Sequence, residues 1–151
     1  MASWRKALRR ESAIEADARK RPELFQWNGP LPGEELEEWS GRHGRVPEDL
    51  RWFWSSTGGG DVFESETLLS PLGDSSMGDD VVGATEARRA QGLPGEWVVF
   101  HVGFGTSAFH CGDGRYAWFE DGVGAPSRLF DSLDDWYRGV LRAEYAERYG
   151  L

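Results

Sequence analysis

Apolar residues recur at helical spacing in five segments of the chain, each bounded by proline, glycine or a capping residue. The spacing predicts helices over residues 3–21, 34–43, 47–57, 80–91 and 133–145. The first helix carries only a thin apolar stripe, which Glu11 and Glu15 border. We therefore expect it to pack loosely on the body of the protein or to fold against a neighbour. The last helix has the clearest pattern, with an acidic first turn after Asp131 or Ser132 and with Trp136 on its apolar face.

A second pattern, rich in β-branched and aromatic residues, predicts strands. Trp97–Val102 is an unbroken apolar run and predicts a central strand that is buried on both faces. Further strands are predicted over residues 107–111, 115–120 and 128–130, and a strand-like stretch over residues 63–69. Because the connections are too short for crossover helices, we expect antiparallel pairing. The sequence thus predicts an α+β fold, in which a mostly antiparallel sheet of four to six strands is flanked by helices at the N- and C-termini.

Three consecutive glycines, Gly58 to Gly60, follow the predicted helix over residues 47–57. A phosphate-binding loop of the Walker type has the opposite order, with the glycines leading into the helix and a lysine that reaches the phosphates. Here an aspartate, Asp61, comes next and would repel a phosphate. We therefore interpret the glycines as the cap of a helix and the turn into a strand, since glycine adopts positive φ freely.

Length and composition predict one folded domain. The chain has 151 residues, the usual size of one domain. Aromatic residues make up 13% of it, which is more bulky apolar surface than disordered segments contain. We divide it into an N-terminal helical arm with its connection, residues 1–27, and a main α+β domain, residues 28–151. The arm contains seven basic and four acidic residues, for a net charge of +3. The domain contains ten basic and twenty-two acidic residues, for a net charge of −12.

The acidic domain disfavours direct binding of nucleic acid and favours a basic partner. Excess carboxylates also keep a protein in solution, and composition alone does not separate these two interpretations. No apolar run approaches the ~20 residues of a membrane span, and the charged N-terminus does not have the pattern of a secretory signal. The only cysteine, Cys111, cannot form an internal disulfide. We therefore expect a soluble cytoplasmic protein without membrane contact.

The residues that could carry chemistry do not form a recognisable motif. His101, His110 and Cys111 could bind a metal, but His110 and Cys111 are consecutive on a predicted strand and point to opposite faces. Ser107 lacks the second glycine of a nucleophile elbow, because Phe109 stands at that position. The sequence therefore predicts no catalytic residues, no metal site and no cofactor.

Several motifs in this order resemble the SUKH superfamily of Smi/Knr-like immunity and regulatory proteins. They are the corner GRVPEDLRWFWSSTGGG, the strand segment DVFESETLLSPLG, the strand pair WVVFHVGFGTSAFHCGDGRYAWFEDG and the closing helix SRLFDSLDDWYRGVL. The resemblance covers residues 34–142. It implies an α+β fold with an antiparallel sheet flanked by helices. It also implies a non-catalytic protein-binding domain, most often a bacterial immunity protein that neutralises a cognate polymorphic toxin, frequently a nuclease or another enzyme that modifies nucleic acid.

Charge and resemblance together lead to a hypothesis about the partner. We expect an acidic surface to dock on the basic cleft of a cognate protein toxin and to exclude the substrate of that toxin. The carboxylates expected to contact the toxin are Asp61, Glu64, Glu66, Asp79, Asp80, Glu120 and Asp121. Two alternatives stay open at this point. One is a general regulatory or scaffold domain, and the other is a metal-assisted enzyme with His101 or His110 beside a carboxylate in a pocket.

Overall fold

A seven-stranded antiparallel sheet organises the residues that the structure, a computed structural model, describes: 11–73, 80–120 and 124–151. Each strand pairs with the next one along the chain, so the order in the sheet is the order in the sequence. The strands are β1 (Phe25–Trp27), β2 (Gly60–Val62), β3 (Glu66–Leu68), β4 (Trp97–Val102), β5 (Thr106–His110), β6 (Tyr116–Phe119) and β7 (Arg128–Phe130). The predicted α+β fold is confirmed, with a slightly larger sheet than expected.

Six α-helices accompany the sheet within the described residues. They are α1 (Ala13–Lys20), α2 (Gly33–His43), α3 (Glu48–Thr57), α4 (Val81–Ala90), α5 (Leu133–Gly139) and α6 (Leu141–Tyr149), and a short 3₁₀ turn spans Pro22–Leu24. No described helix has both the length and the apolar content needed to cross a bilayer.

Helices cover both faces of the sheet. Ser107 on β5 bonds to Trp136 of α5, whereas its neighbour Thr106 bonds to Arg88 of α4. Consecutive residues of a strand point to opposite faces, so α5 and α4 lie on opposite sides of β5. All but the last residue of β4 are buried, which confirms the prediction of a central strand. We refer below to the face that carries Ser107 as the core face.

The glycine triplet caps α3 and starts β2, as predicted. Gly58 ends the helix in the left-handed conformation with φ of 72°, and its N–H bonds to the carbonyl of Trp54. Gly59 and Gly60 also have positive φ, 76° and 152°. A Cβ at Gly58 would lie 2.1 Å from the carbonyl oxygen of Gly29. Conformation and close backbone approach therefore both require glycine here.

The predicted strand over residues 63–69 is interrupted. Phe63 and Glu64 have positive φ, 53° and 69°, and form the turn between β2 and β3. The strand β3 therefore begins only at Glu66. The predicted terminal helix is also divided, at Val140. Arg128 on β7 donates a hydrogen bond of 2.8 Å to the carbonyl of Gly139, which holds this end of α5 against the sheet.

The N-terminal helix α1 packs more tightly than its thin stripe predicts. Asp17 is only 3% exposed and accepts hydrogen bonds from the Tyr137 hydroxyl at 2.7 Å and from Arg142 Nε at 3.0 Å. The backbone N–H of Ala13 donates to Asp134 at 2.7 Å. Sequence analysis missed this anchor because an aspartate in a helix is normally solvated.

Asp49, in the first turn of α3, connects this helix to two distant elements. Its carboxylate accepts hydrogen bonds from the hydroxyl of Tyr116 on β6 and from the N–H of Leu133, the first residue of α5. Burial and the negative charge of Asp49 raise the pKa of Tyr116 far above its usual range, so the phenol stays a donor. Asp49, the second of the two acidic residues in the motif VPEDL, thus has a structural function in this fold.

Candidate protein-binding site

A chain of polar side chains lies on the core face of the sheet, where its neighbours are apolar. Glu66, His101 and Ser107 come from β3, β4 and β5, and each is at most 1% exposed. His101 Nε2 lies 2.9 Å from Glu66 Oε1, and His101 Nδ1 lies 2.8 Å from Ser107 Oγ. We call these three residues the buried network.

Two aromatic residues from the helices complete the buried network and fix its protons. The indole N–H of Trp136 donates to Ser107 Oγ at 2.8 Å, and the Tyr145 hydroxyl donates to Glu66 Oε2 at 2.7 Å. An ionised carboxylate can only accept, so Nε2 of His101 carries the ring proton and donates it to Glu66. Nδ1 of the neutral imidazole is then an acceptor, and the Ser107 hydroxyl donates its hydrogen to it. Each polar side-chain atom of the buried network therefore has a hydrogen-bond partner.

Burial sets the protonation of the imidazole, and hydrogen bonds set that of the carboxylate. Burial lowers the pKa of His101, against the opposing effect of the Glu66 charge. Burial alone would raise the pKa of Glu66, but hydrogen bonds from His101, Tyr145 and the Phe104 N–H outweigh it and hold that pKa below its usual value. The network therefore contains a neutral imidazole and an ionised carboxylate at neutral pH.

The order serine, histidine, carboxylate is that of a hydrolase triad, but the geometry serves packing instead of catalysis. A nucleophile needs a free position about 3 Å away where a substrate atom can sit. Ser107 and His101 are 0% exposed, and the serine oxygen already accepts the Trp136 N–H. A substrate would have to enter the hydrophobic core to reach Ser107.

The buried network also holds the turn between β4 and β5 in place. The N–H of Phe104 lies 3.2 and 3.3 Å from the two carboxylate oxygens of Glu66. Gly103 bonds through its N–H to the carbonyl of Gly105 at 3.0 Å. A Cβ at Gly103 would lie 1.9 Å from Glu66 Oε1, so the turn fits closely over the carboxylate. The interior charge of the protein is thereby connected to a surface loop.

We expect the free energy of unfolding to decrease as the pH falls below 6.5, with His101 as the cause. The unfolded chain binds a proton on His101 near pH 6.5, whereas burial keeps the folded imidazole neutral. The contribution of His101 to the free energy of unfolding is therefore fully present above pH 6.5. It is lost as the pH falls below that value, with a slope of up to about 1.4 kcal/mol per pH unit. Glu66 adds a loss of the same sign below its unfolded value of 4.5.

Urea unfolding of the wild type and of His101→Gln at several pH values measures this effect. The variant has no imidazole at position 101, so its stability should fall less steeply between about pH 6.5 and pH 5. Equal slopes in the two proteins would contradict the assignment to His101.

Three of the carboxylates expected at the interface are exposed. Asp61 points away from the core face of β2, Glu64 lies in the turn after β2, and Glu120 follows β6. Asp61 accepts one hydrogen bond, from the Thr67 hydroxyl at 3.2 Å. None of the three forms an ion pair with a described residue. We call Asp61, Glu64 and Glu120 the exposed acidic set.

Two other carboxylates of the same prediction are buried, which removes them from an exposed surface. Glu66 is 1% exposed and belongs to the buried network. Its position two residues before the buried Leu68 is the sequence signal that it shares the inner face of β3. Asp80 is 2% exposed and caps α4 by accepting the Gly83 N–H at 2.8 Å. Asp79 and Asp121 lie outside the described residues.

The register places two of the exposed acids beside the Phe104 turn. Thr67 pairs with Val102, Val102 with Thr106, and Thr106 with Phe119, which forms a continuous row across four strands. Three segments lie just beyond this row, at the same end of the sheet. They are the turn before β3, which holds Glu64, the turn after β4, which holds Phe104, and the residue after β6, Glu120. We call Glu64, Phe104 and Glu120 the turn surface.

The remaining residues of the metal hypothesis do not converge. His110 Nδ1 accepts the N–H groups of Gly112 and Asp113 at 3.0 and 3.2 Å, so it stabilises its own turn. Cys111 is partly buried, and burial raises the pKa of its thiol. In the described parts of the chain, no group of three His, Cys, Asp or Glu residues is arranged to hold a metal ion.

Comparison with known proteins identifies one family. The family described as SMI1 / KNR4 family (SUKH-1) has a model that matches residues 30–139, well over half of the chain. The match includes β2 to β7 and the helices from α2 to α5, and therefore the whole buried network and the whole turn surface. No curated protein and no solved structure gave a significant match to the chain.

Proposed function

This chain belongs to the SMI1 / KNR4 family (SUKH-1), and on that premise we propose that it is a non-catalytic protein-binding domain of the immunity type. In this proposal it binds a cognate bacterial toxin, such as a nuclease or another toxin that targets nucleic acid, through a negatively charged surface and blocks the active site of that toxin. Membership of the family is consistent with an immunity or regulatory protein, and the acidic surface favours a basic partner.

The observation that carries the proposal is the uncompensated charge of Asp61, Glu64 and Glu120. Some exposed acids of this protein are neutralised locally, for example Glu11 by Arg19 at 2.8 Å and Glu38 by Arg42 at 3.6 Å. The exposed acidic set has no such partner among the described residues, so its charge is available to another molecule. Charges of this kind at the rim of an interface accelerate association and make it dependent on salt.

The buried network supports the non-catalytic part of the proposal. Of the histidines, His101 has the hydrogen-bond partners expected of a catalytic base, yet the core encloses it completely. Its fully satisfied hydrogen bonds stabilise one unique packing of the sheet against α5 and α6. In this proposal the protein therefore acts through its exposed surface, by binding a partner protein.

Reversal of the exposed acidic set tests the proposal. We expect the triple variant Asp61→Lys, Glu64→Lys, Glu120→Lys to bind the cognate toxin domain, sought among the products of the genes on either side of its own, at least about tenfold more weakly, mainly through slower association. Binding is measured by surface plasmon resonance at low and high salt, and growth rescue on co-expression measures neutralisation. The wild type should protect cells, and the variant should protect less.

A second triple variant, Glu37→Lys, Glu86→Lys, Glu96→Lys, is the matched control. It makes the same change in net charge at exposed positions on α2, on α4 and before β4. If both triple variants bind equally weakly, net charge alone explains the effect, and the assignment of binding to the exposed acidic set is wrong. If the wild type neither binds nor neutralises the toxin domain, the immunity proposal is wrong and a regulatory function within the family is favoured.

A further inference from the structure

Phe104 is an exposed aromatic residue whose inner contacts are already made. Its side chain is 38% exposed, and the only other exposed large apolar side chain among the described residues is Leu129. The Phe104 ring packs against Trp118 at a centroid distance of 5.3 Å and lies edge-on to Tyr145 at 6.1 Å. The ring is therefore supported from below, and the rest of it is available to a partner.

The backbone around Phe104 is held rigidly. Its N–H is bound by the two oxygens of Glu66, and Glu66 is itself fixed by His101 and Tyr145. A Cβ at Gly105 would lie 2.4 Å from Trp118 Nε1, so the second arm of the turn also fits tightly. A side chain that is already ordered loses little conformational entropy when it binds, and this favours its use as an anchor.

The charges around Phe104 define the partner. Glu64 and Glu120 lie at the same end of the sheet and carry no ion pair with a described residue, whereas Arg148 stacks on the Tyr145 ring at 5.1 Å and adds one positive charge. An apolar centre with a charged rim is the usual arrangement of a protein interface. Nucleic acid and anionic lipid surfaces would be repelled by the two glutamates.

We infer that Phe104 is the anchor of the partner interface and that it inserts into an apolar pocket rimmed by lysine and arginine on a basic protein. The inference rests on the proposed function and deepens it, since it names the residue that determines how long the complex lasts. The exposed acidic set determines how fast the complex forms, and Phe104 determines its dissociation rate.

Replacement of Phe104 by alanine tests the inference, with Leu129→Ala as the matched control. Leu129 pairs with Ala117 on β6 and is 48% exposed, so it is the other apolar truncation available at the surface. With the same toxin domain as the probe, we expect Phe104→Ala to weaken binding by about 30-fold or more, through faster dissociation. Leu129→Ala should change affinity by less than about threefold. Thermal unfolding of both variants shows whether the fold is retained.

The kinetics separate this inference from the proposed function. Faster dissociation of Phe104→Ala, with an unchanged salt dependence of association, supports the anchor. If the wild type binds and Phe104→Ala dissociates no faster than Leu129→Ala, the anchor is wrong, and the acidic interface stands. If the wild type does not bind the toxin domain, the proposed function and the inference both fail.

Discussion

Glu66→Ala is expected to lower the free energy of unfolding by about 3–5 kcal/mol, because it removes an acceptor that several donors share and leaves a cavity in the core. The carboxylate accepts hydrogen bonds from His101, from Tyr145 and from the backbone of Phe104. Alanine removes the acceptor of the buried His101 Nε2–H and of the Phe104 N–H, and one of the two oxygen partners of the Tyr145 hydroxyl, and it also leaves a cavity. Urea unfolding at neutral pH, followed by tryptophan fluorescence, measures the loss.

Two further variants make this result interpretable. Glu120→Ala removes an exposed glutamate and should change stability by no more than about 0.5 kcal/mol. Glu66→Gln keeps one carbonyl acceptor and nearly the same volume, so its loss should lie between the other two. If Glu66→Ala and Glu120→Ala were equally stable, the buried network would contribute nothing to the fold, and the control of the Phe104 turn by Glu66 would also be in doubt.

Sequence reasoning succeeded where local pattern determines structure. Trp97–Val102 is apolar throughout and forms the central strand, and Ser132 with its following aspartates caps α5. The glycines from Gly58 to Gly60 were predicted correctly because helix order and backbone conformation are local properties. These features depend on residues that are near one another in the chain.

The buried network could not be predicted because it depends on register. Glu66 and His101 are 35 positions apart, and only the pairing of β3 with β4 brings them together. A bulge between Val99 and His101 adds to the difficulty, since it turns His101 onto the same face as Ser107. Each residue alone looks like an isolated polar group on a strand.

The N-terminal helix shows a second limit, the interpretation of a charged residue by its average behaviour. Glu11 and Glu15 beside a thin apolar stripe predict a loosely packed helix, and aspartates such as Asp17 are mostly exposed. Its burial depends on Tyr137 and Arg142, which lie more than a hundred residues away. The same average misassigned Asp80 and Glu66 to the surface. Charge counts therefore predict the sign of a surface and not which carboxylates compose it.

Gly60→Ala is expected to lower the free energy of unfolding by about 3–5 kcal/mol, through a clash within the sheet. Gly60 pairs with Trp27 at the edge of the sheet and has φ of 152°. A Cβ there would lie 2.0 Å from the carbonyl oxygen of Gln26, which is backbone and cannot move without displacing β1. Urea unfolding measures the loss, and faster amide exchange across Phe25–Trp27 would locate it.

Gly92→Ala is the control that separates the clash from backbone strain. Gly92 has φ of 111° but has no atom within 4 Å of the Cβ position, so alanine there carries only the strain of positive φ, about 1–2 kcal/mol. The difference between the two variants is the contribution of the close approach between β1 and β2. Equal losses would mean that β1 moves without cost, and the first strand would then be a removable edge instead of a part of the core that anchors Phe25.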